Sequence, residues 1–196
     1  MVELQKKYQI GSRRFGLINW VGTYSLFKKE VLRFLTVSGQ TLFGPILTSI
    51  LFLTVISLAI GDQRAEVLGV PYIKFLACGL IMMQVIQQSF AHSSSSLMMG
   101  KMMGTITDVV HSPLSSSEVV FAITFASATR GLLIATASTL IFTFFIDLSI
   151  QSLFLWFIYL FLGGLLMGSL GIIVGLYADK FDQMSTVTNF IIVPLS

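Results

Sequence analysis

Five polar residues capable of recognition or proton chemistry stand inside otherwise apolar runs of this sequence: Gln84, Gln87, Gln88, His92 and Arg130. Gln84, Gln88 and His92 follow one another at i, i+4 and i+8, so on a helix they share one face, with Gln87 beside them. Arg130 lies twelve residues past Glu118, which is about 18 Å along a helix axis at 1.5 Å per residue. Counted back from Lys101, Gln87 and Gln88 fall at a similar depth. A guanidinium so deep in a bilayer costs at least ~2.5 kcal/mol, so it should face protein or water and have a partner. Two roles fit these residues equally: a polar wall along a translocation route, or structural hydrogen bonds joining two helices.

The run Ser93 to Ser96 could offer a nucleophile. A catalytic serine needs a base held by a third group, and neither a GxSxG motif nor an identifiable base marks one here. Serines in such a run return their hydroxyls to the helix backbone and allow close packing. His92 and His111 lack the HExxH spacing, and Cys78 is the single cysteine. Neither a metal site nor an intramolecular disulfide is therefore expected, and Cys78 reads as a small buried apolar residue. No GxxxxGK[ST] loop is present to hold ATP phosphates, and no cofactor is expected.

The elements that must position these residues follow from composition. Hydrophobic residues make up 55% of 196 positions and charged residues only 11%, against about a quarter charged in soluble domains. The mean hydropathy is +0.87. Apolar runs of roughly 20 residues, long enough to cross a bilayer, recur, and the alternation of a membrane barrel is missing. The expected fold is an all-α polytopic membrane protein. Its spans are predicted over residues 41–60, 72–97, 119–145 and 153–177. A fifth apolar run, TVTNFIIVPLS, stops at Ser196 after about ten residues, too few to cross, so the natural chain is expected to continue beyond it.

Ahead of the first span, Trp20, Tyr24, Phe27, Val31 and Phe34 recur at steps of three and four. They predict one apolar face, with Asn19, Lys28, Lys29 and Arg33 turned away. A basic amphipathic helix here lies in the membrane interface. The chain thus reads as a single transmembrane domain over residues 1–196, with an interfacial or cytoplasmic segment 1–38 and a helical bundle 39–196. Gly164, Gly168, Gly171 and Gly175 form a glycine stripe on the fourth span, suited to close helix packing within or between subunits.

Charge sets orientation. Seven basic residues (Lys6, Lys7, Arg13, Arg14, Lys28, Lys29 and Arg33) precede the first span. Placing the N-terminus in the cytoplasm adds Lys101 and Lys180 to that side. Arg64 and Lys74 are left opposite, and the turn near Asp147 has no basic residue. Nine against two satisfies the positive-inside rule. The net charge of +3, gathered before the first span, suits a membrane lipid surface and not nucleic acid.

The stretch GKMMGTITDVVHSPLSSSEVV (Gly100 to Val120), followed by Arg130-Gly131-Leu132, resembles a recurring pattern in type-2 ABC transporter permeases. The match runs through Lys101, Gly104, Ile106 and Asp108, then Pro113, Leu114, Ser115 and Glu118. KKEVLRFLTVSGQTLFGPILTSILFLTVISLAIG is similar to the family's interfacial helix and first span, and ADKFDQMSTVTNFIIVPLS to its fourth loop and the start of its fifth span. Membership implies a cytoplasmic-membrane export permease with six spans in the intact member. It pairs with a second permease copy, as a homodimer or through fusion to its like, and with ATP-binding subunits that hydrolyse the ATP. A short coupling helix between the second and third spans docks in a groove on the ATPase. Here it covers Gly104 to His111, with Ile106, Val109 and Val110 as its apolar face and Asp108 off that face. The competing expectations are an intramembrane enzyme using the serines, His92 and Arg130, and an ATP-independent channel or scaffold. No carboxylate in the spans lies at the depth of Arg130 to serve the former.

Overall fold

The computed structural model describes residues 18–36, 38–60, 66–67, 69–146, 148, 150 and 152–196. Lys6, Lys7, Arg13, Arg14, Arg64 and Asp147 lie outside the described residues. The elements run α1 (Trp20–Thr36), α2 (Ser38–Ile60), a two-stranded hairpin β1 (Glu66–Val67) and β2 (Val70–Pro71), α3 (Tyr72–Met102), α4 (Ile106–His111), α5 (Ser116–Phe145), α6 (Leu153–Tyr177) and α7 (Phe181–Val187). A π-helical stretch over Thr188–Ile192 and α8 (Val193–Leu195) continue from α7. Among the described residues four helices, α2, α3, α5 and α6, are long and apolar enough to cross a membrane. The protein is an all-α polytopic membrane protein.

Helices α3, α5 and α6 pack against one another as the centre of the molecule. Lipid tails are as apolar as leucine, so close packing and interhelical hydrogen bonds hold membrane helices together. The glycine stripe supplies the close packing. Gly164, Gly168, Gly171 and Gly175 are all buried on α6. A Cβ on Gly171 would stand 2.6 Å from the Phe90 carbonyl oxygen, and one on Gly175 would stand 3.0 Å from that of Ser94. Gly164 meets Ala128 of α5, its Cβ position 3.1 Å from the Ala128 Cα. The stripe is therefore spent inside the chain, against the small residues of α3 and α5.

Span α2 is the peripheral one: 17% of its apolar window is buried, against 56% for α5. It leaves most of its surface to lipid or another chain. Cys78, expected in the core, is exposed on α3, because Ala77, Leu80 and Ile81 take that helix's inner face.

Helix α3 reaches Met102, five residues past the predicted end, because Leu97 and Met98 are still buried in the bundle. It stops at Gly104, whose φ of +71° is the left-handed conformation that glycine adopts most easily. Ser112, before Pro113, is extended, as the proline ring demands, and this ends α4. Ser115 then caps α5 with a full capping box: Glu118 Oε2 accepts from the Ser115 backbone N–H at 2.7 Å, and the Glu118 N–H donates to Ser115 Oγ.

Helix α1 turns differently from the predicted face. Leu26, Glu30 and Phe34 are buried, while Trp20 and Tyr24 are exposed. Asn19, predicted to point away from the apolar face, is buried against α5. Polar contacts choose the protein side here, and an apolar stripe by itself does not distinguish a face for protein from one for lipid.

Candidate functional site

At mid-depth, α5 carries Arg130 and α3 carries Gln88, and the guanidinium donates to Gln88 Oε1 at 2.7 Å. This gives the buried charge a polar partner, although Arg130 Nε has none among the described residues. Gln87, one residue back on α3, donates to Ser196 Oγ at 2.9 Å. Both glutamines and Arg130 are only half-buried, so this trio lies partly open on the side of the bundle.

The other two polar residues are occupied elsewhere. Gln84 is buried and donates to Ser49 Oγ at 2.7 Å and to the Pro45 carbonyl at 3.2 Å. Pro45 lies inside α2, so this pair ties the peripheral span to the centre. His92 is fully buried, with Phe34 of α1 edge-on at 5.6 Å between ring centroids. Of the five residues, the fold leaves Gln87, Gln88 and Arg130 half-buried and encloses Gln84 and His92.

Around His92 the structure gathers a cluster whose acidic member sequence inspection missed. Glu30 on α1 is buried; it accepts from Ser96 Oγ at 2.8 Å and pairs with Arg33 at 3.0 Å, while His92 Nε2 stands 3.7 Å away. Serine, histidine and acid are the residue types of a hydrolytic triad, but the order of contacts is wrong. In a triad the serine bonds the histidine, and the acid orients that histidine from its other nitrogen. Here the serine bonds the acid, and neither His92 nitrogen has a hydrogen-bond partner among the described residues. The arrangement docks α1 onto α3. The signal was legible: Glu30 is the one acid in α1, in step with Leu26 and Phe34. The other serines of the run behave as expected, Ser93, Ser94 and Ser95 returning their hydroxyls to Ser89, Phe90 and His92 carbonyls.

At the polar end, α4 forms one short turn of helix over Ile106–His111. Ile106 packs on the cluster of Leu97, Ile123 and Ile172, and Val109 is half-buried beside it. Of the three predicted face residues, Ile106 anchors α4 to its own bundle. Outward exposure falls instead on Val110 at 74%, with Met102 and Met103 at 63% and 69%; Asp108 is also exposed. Lys101 reaches to α6, where its Nζ donates to the Leu176 carbonyl and, at 3.0 Å, to that of Ala178. An ammonium there satisfies end carbonyls and complements the helix dipole. Across the same end, Glu118 Oε1 accepts from the Asn19 backbone N–H at 2.6 Å, and Asn19 Nδ2 donates to the Pro113 carbonyl. One carboxylate therefore joins the starts of α1 and α5.

The sequence model of the family described as "ABC-2 type transporter" matches residues 22–196. Among curated proteins, the inner membrane transport permease YadH of Escherichia coli K12 is 29% identical over 177 residues, covering 90% of this chain and 69% of that protein. The YadH of Shigella flexneri gives the same figures. No solved structure matches the chain. With four apolar spans, a short helix between the second and third, and a match across nearly its whole length, the chain belongs to the ABC-2 type transporter family as the membrane subunit of an ABC transporter.

Proposed function

We propose that this subunit exports its cargo using ATP hydrolysed on a separate ATP-binding subunit, which docks on the segment Gly104 to His111. The observation that carries this reading is the exposure of Val110, Met102 and Met103 at the polar end of the bundle. Exposed apolar side chains at this end call for cover by a partner, and the exposed Asp108 two residues before Val110 gives a charge for register. Ile106 holds the short helix to the bundle, so force on Val110 reaches α3 and α5.

The nine-to-two basic bias puts this end and the N-terminus in the cytoplasm. The chain acts with a second copy of itself, and Gln87, Gln88 and Arg130 line the route between the copies. The chain itself makes and breaks no covalent bond in this scheme.

The test is a cysteine at Val110 in a Cys78→Ser background. It should cross-link to the ATP-binding subunit, and Val110→Asp should leave the spans inserted while export falls at unchanged or raised ATP hydrolysis. Normal export by Val110→Asp without any cross-link would remove the docking role. Val109→Asp should uncouple as well, with added instability, because it sets an unpaired charge at a half-buried apolar position.

A further inference from the structure

A groove of about 570 Å³ runs beneath α4, between it and α1, with the ends of α3 and α6 and the start of α5 as its other walls. That volume falls in the range of roughly 300–1,000 Å³ typical of small-molecule sites. Its depth is apolar, made by Leu97, Ile123, Ile172 and Val119. Its α1 wall is charged: Lys29, Glu30 and Arg33 all line it. Glu30 is already answered by Arg33 and Ser96. Lys29 is exposed and has no hydrogen-bond or ion-pair partner among the described residues. Its charge, one helical turn before Arg33, is the uncompensated one.

The groove's position in the molecule selects its occupant. Three apolar helices terminate around it, α3 at Met102, α5 at Ser116 and α6 at Tyr177. It therefore lies where hydrocarbon gives way to headgroups. The exposed Trp20 and Tyr24 on the adjoining α1 are the side chains that favour this boundary. A water-soluble ligand would not require the apolar floor, and a free apolar chain would not require Lys29. We infer that the groove holds one anionic phospholipid of the surrounding bilayer. Its phosphate sits against Lys29 and the open side of Arg33, and an acyl chain is laid over Leu97, Ile123 and Ile172 beneath α4. A lipid so placed touches the coupling segment and the interfacial helix together, so the lipid surface would influence how firmly α4 is held.

The experiment takes the full chain, purified with whatever subunits accompany it, into nanodiscs of phosphatidylglycerol or of phosphatidylcholine. Native mass spectrometry after detergent release then counts the lipids retained per chain. One phosphatidylglycerol per chain is expected, and phosphatidylcholine only weakly. Lys29→Gln, a surface change that leaves the Glu30 contacts intact, should lower phosphatidylglycerol retention about fivefold, the factor one basic residue carries at an anionic surface. Val120→Trp, at a half-open position on the α5 wall, should fill the groove and lower retention of both lipids. Equal retention of the two lipids, or retention unchanged by both variants, overturns the inference. So does a cysteine at Val120 that cross-links to residues 1–17 or to the ATP-binding subunit, since protein then fills the groove. The assay reads lipid alone, so a failure of ATPase docking would not alter its outcome.

Discussion

A single carboxylate, Glu30, shows how one residue can decide what a helix is for. Buried on α1 among Ser96, Arg33 and His92, it converts a basic surface helix into a docked one. Removing its charge leaves Ser96 and Arg33 with a weaker acceptor, and hydrogen bonds to charged groups contribute about 1.5–3 kcal/mol. Glu30→Gln is therefore expected to lower unfolding stability in detergent by about 1–2 kcal/mol. The coupling energy with Ser96→Ala should be non-zero in a double-mutant cycle; strict additivity would mean that the 2.8 Å contact contributes nothing. Arg130 has the opposite balance. Replacing it with leucine removes a membrane cost of at least ~2.5 kcal/mol and frees Gln88. Arg130→Leu should insert as well as the native chain or better, yet export less. Export and membrane abundance measured on the same cells check this, and unimpaired export would take Arg130 off the route.

At the scale of elements, the contact between α6 and α3 is set by what cannot be moved. Gly171 faces the Phe90 backbone, where an added Cβ would stand 2.6 Å from the carbonyl oxygen; Gly163, on the same helix, faces only the Met82 Cε at 2.5 Å. Backbone cannot swing aside, whereas a methionine tip turns about three flexible bonds. Gly171→Ala is thus expected to destabilise by about 1–3 kcal/mol, the usual cost of overpacking, and Gly163→Ala to be near neutral. Thermal unfolding of the two variants side by side distinguishes them, and equal effects would mean that α6 can slide away from α3. The C-terminal end of α6 is held as well, where Lys101 donates to the Leu176 and Ala178 carbonyls. Lys101→Met should cost about 0.3–1 kcal/mol, seen as faster backbone hydrogen exchange in the last turn of α6.

For the whole molecule, orientation is the property on which the proposed function depends. With the N-terminus inside, a cysteine replacing Lys180 should stay unlabelled by an impermeant maleimide in intact cells. One replacing Gln63, between the first two spans in the sequence, should react. Cys78→Ser supplies the silent background, since Cys78 lies on an exposed face of α3. Labelling of Lys180→Cys in intact cells would invert the topology and put Val110 out of reach of any cytoplasmic ATPase. Within the molecule, α3, α5 and α6 form a tight trio, α2 is loosely held, and α1 packs mainly against α5.

Hydropathy alone was enough to determine the class and the four spans, because about 20 apolar residues have one stable place to be and a helix is the open-ended way to satisfy backbone there. Local chemistry also fixed the ends of the short helix: Gly104 takes a left-handed turn before it, Pro113 holds Ser112 extended after it, and Ser115 with Glu118 writes a capping box in four residues. Pairing was beyond it. Gln84, Gln88 and His92 share a helical face by spacing, yet the fold sends them to α2, α5 and α1 respectively, because partners come from segments distant in the chain. The face that α1 turns inward was likewise decided by Asn19 and Glu30 finding Glu118 and Ser96, contacts spanning 99 and 66 residues. In a membrane an apolar side chain is at home against lipid or protein. Only the polar contacts and the close approach of small residues, both products of the tertiary structure, settle which side faces which.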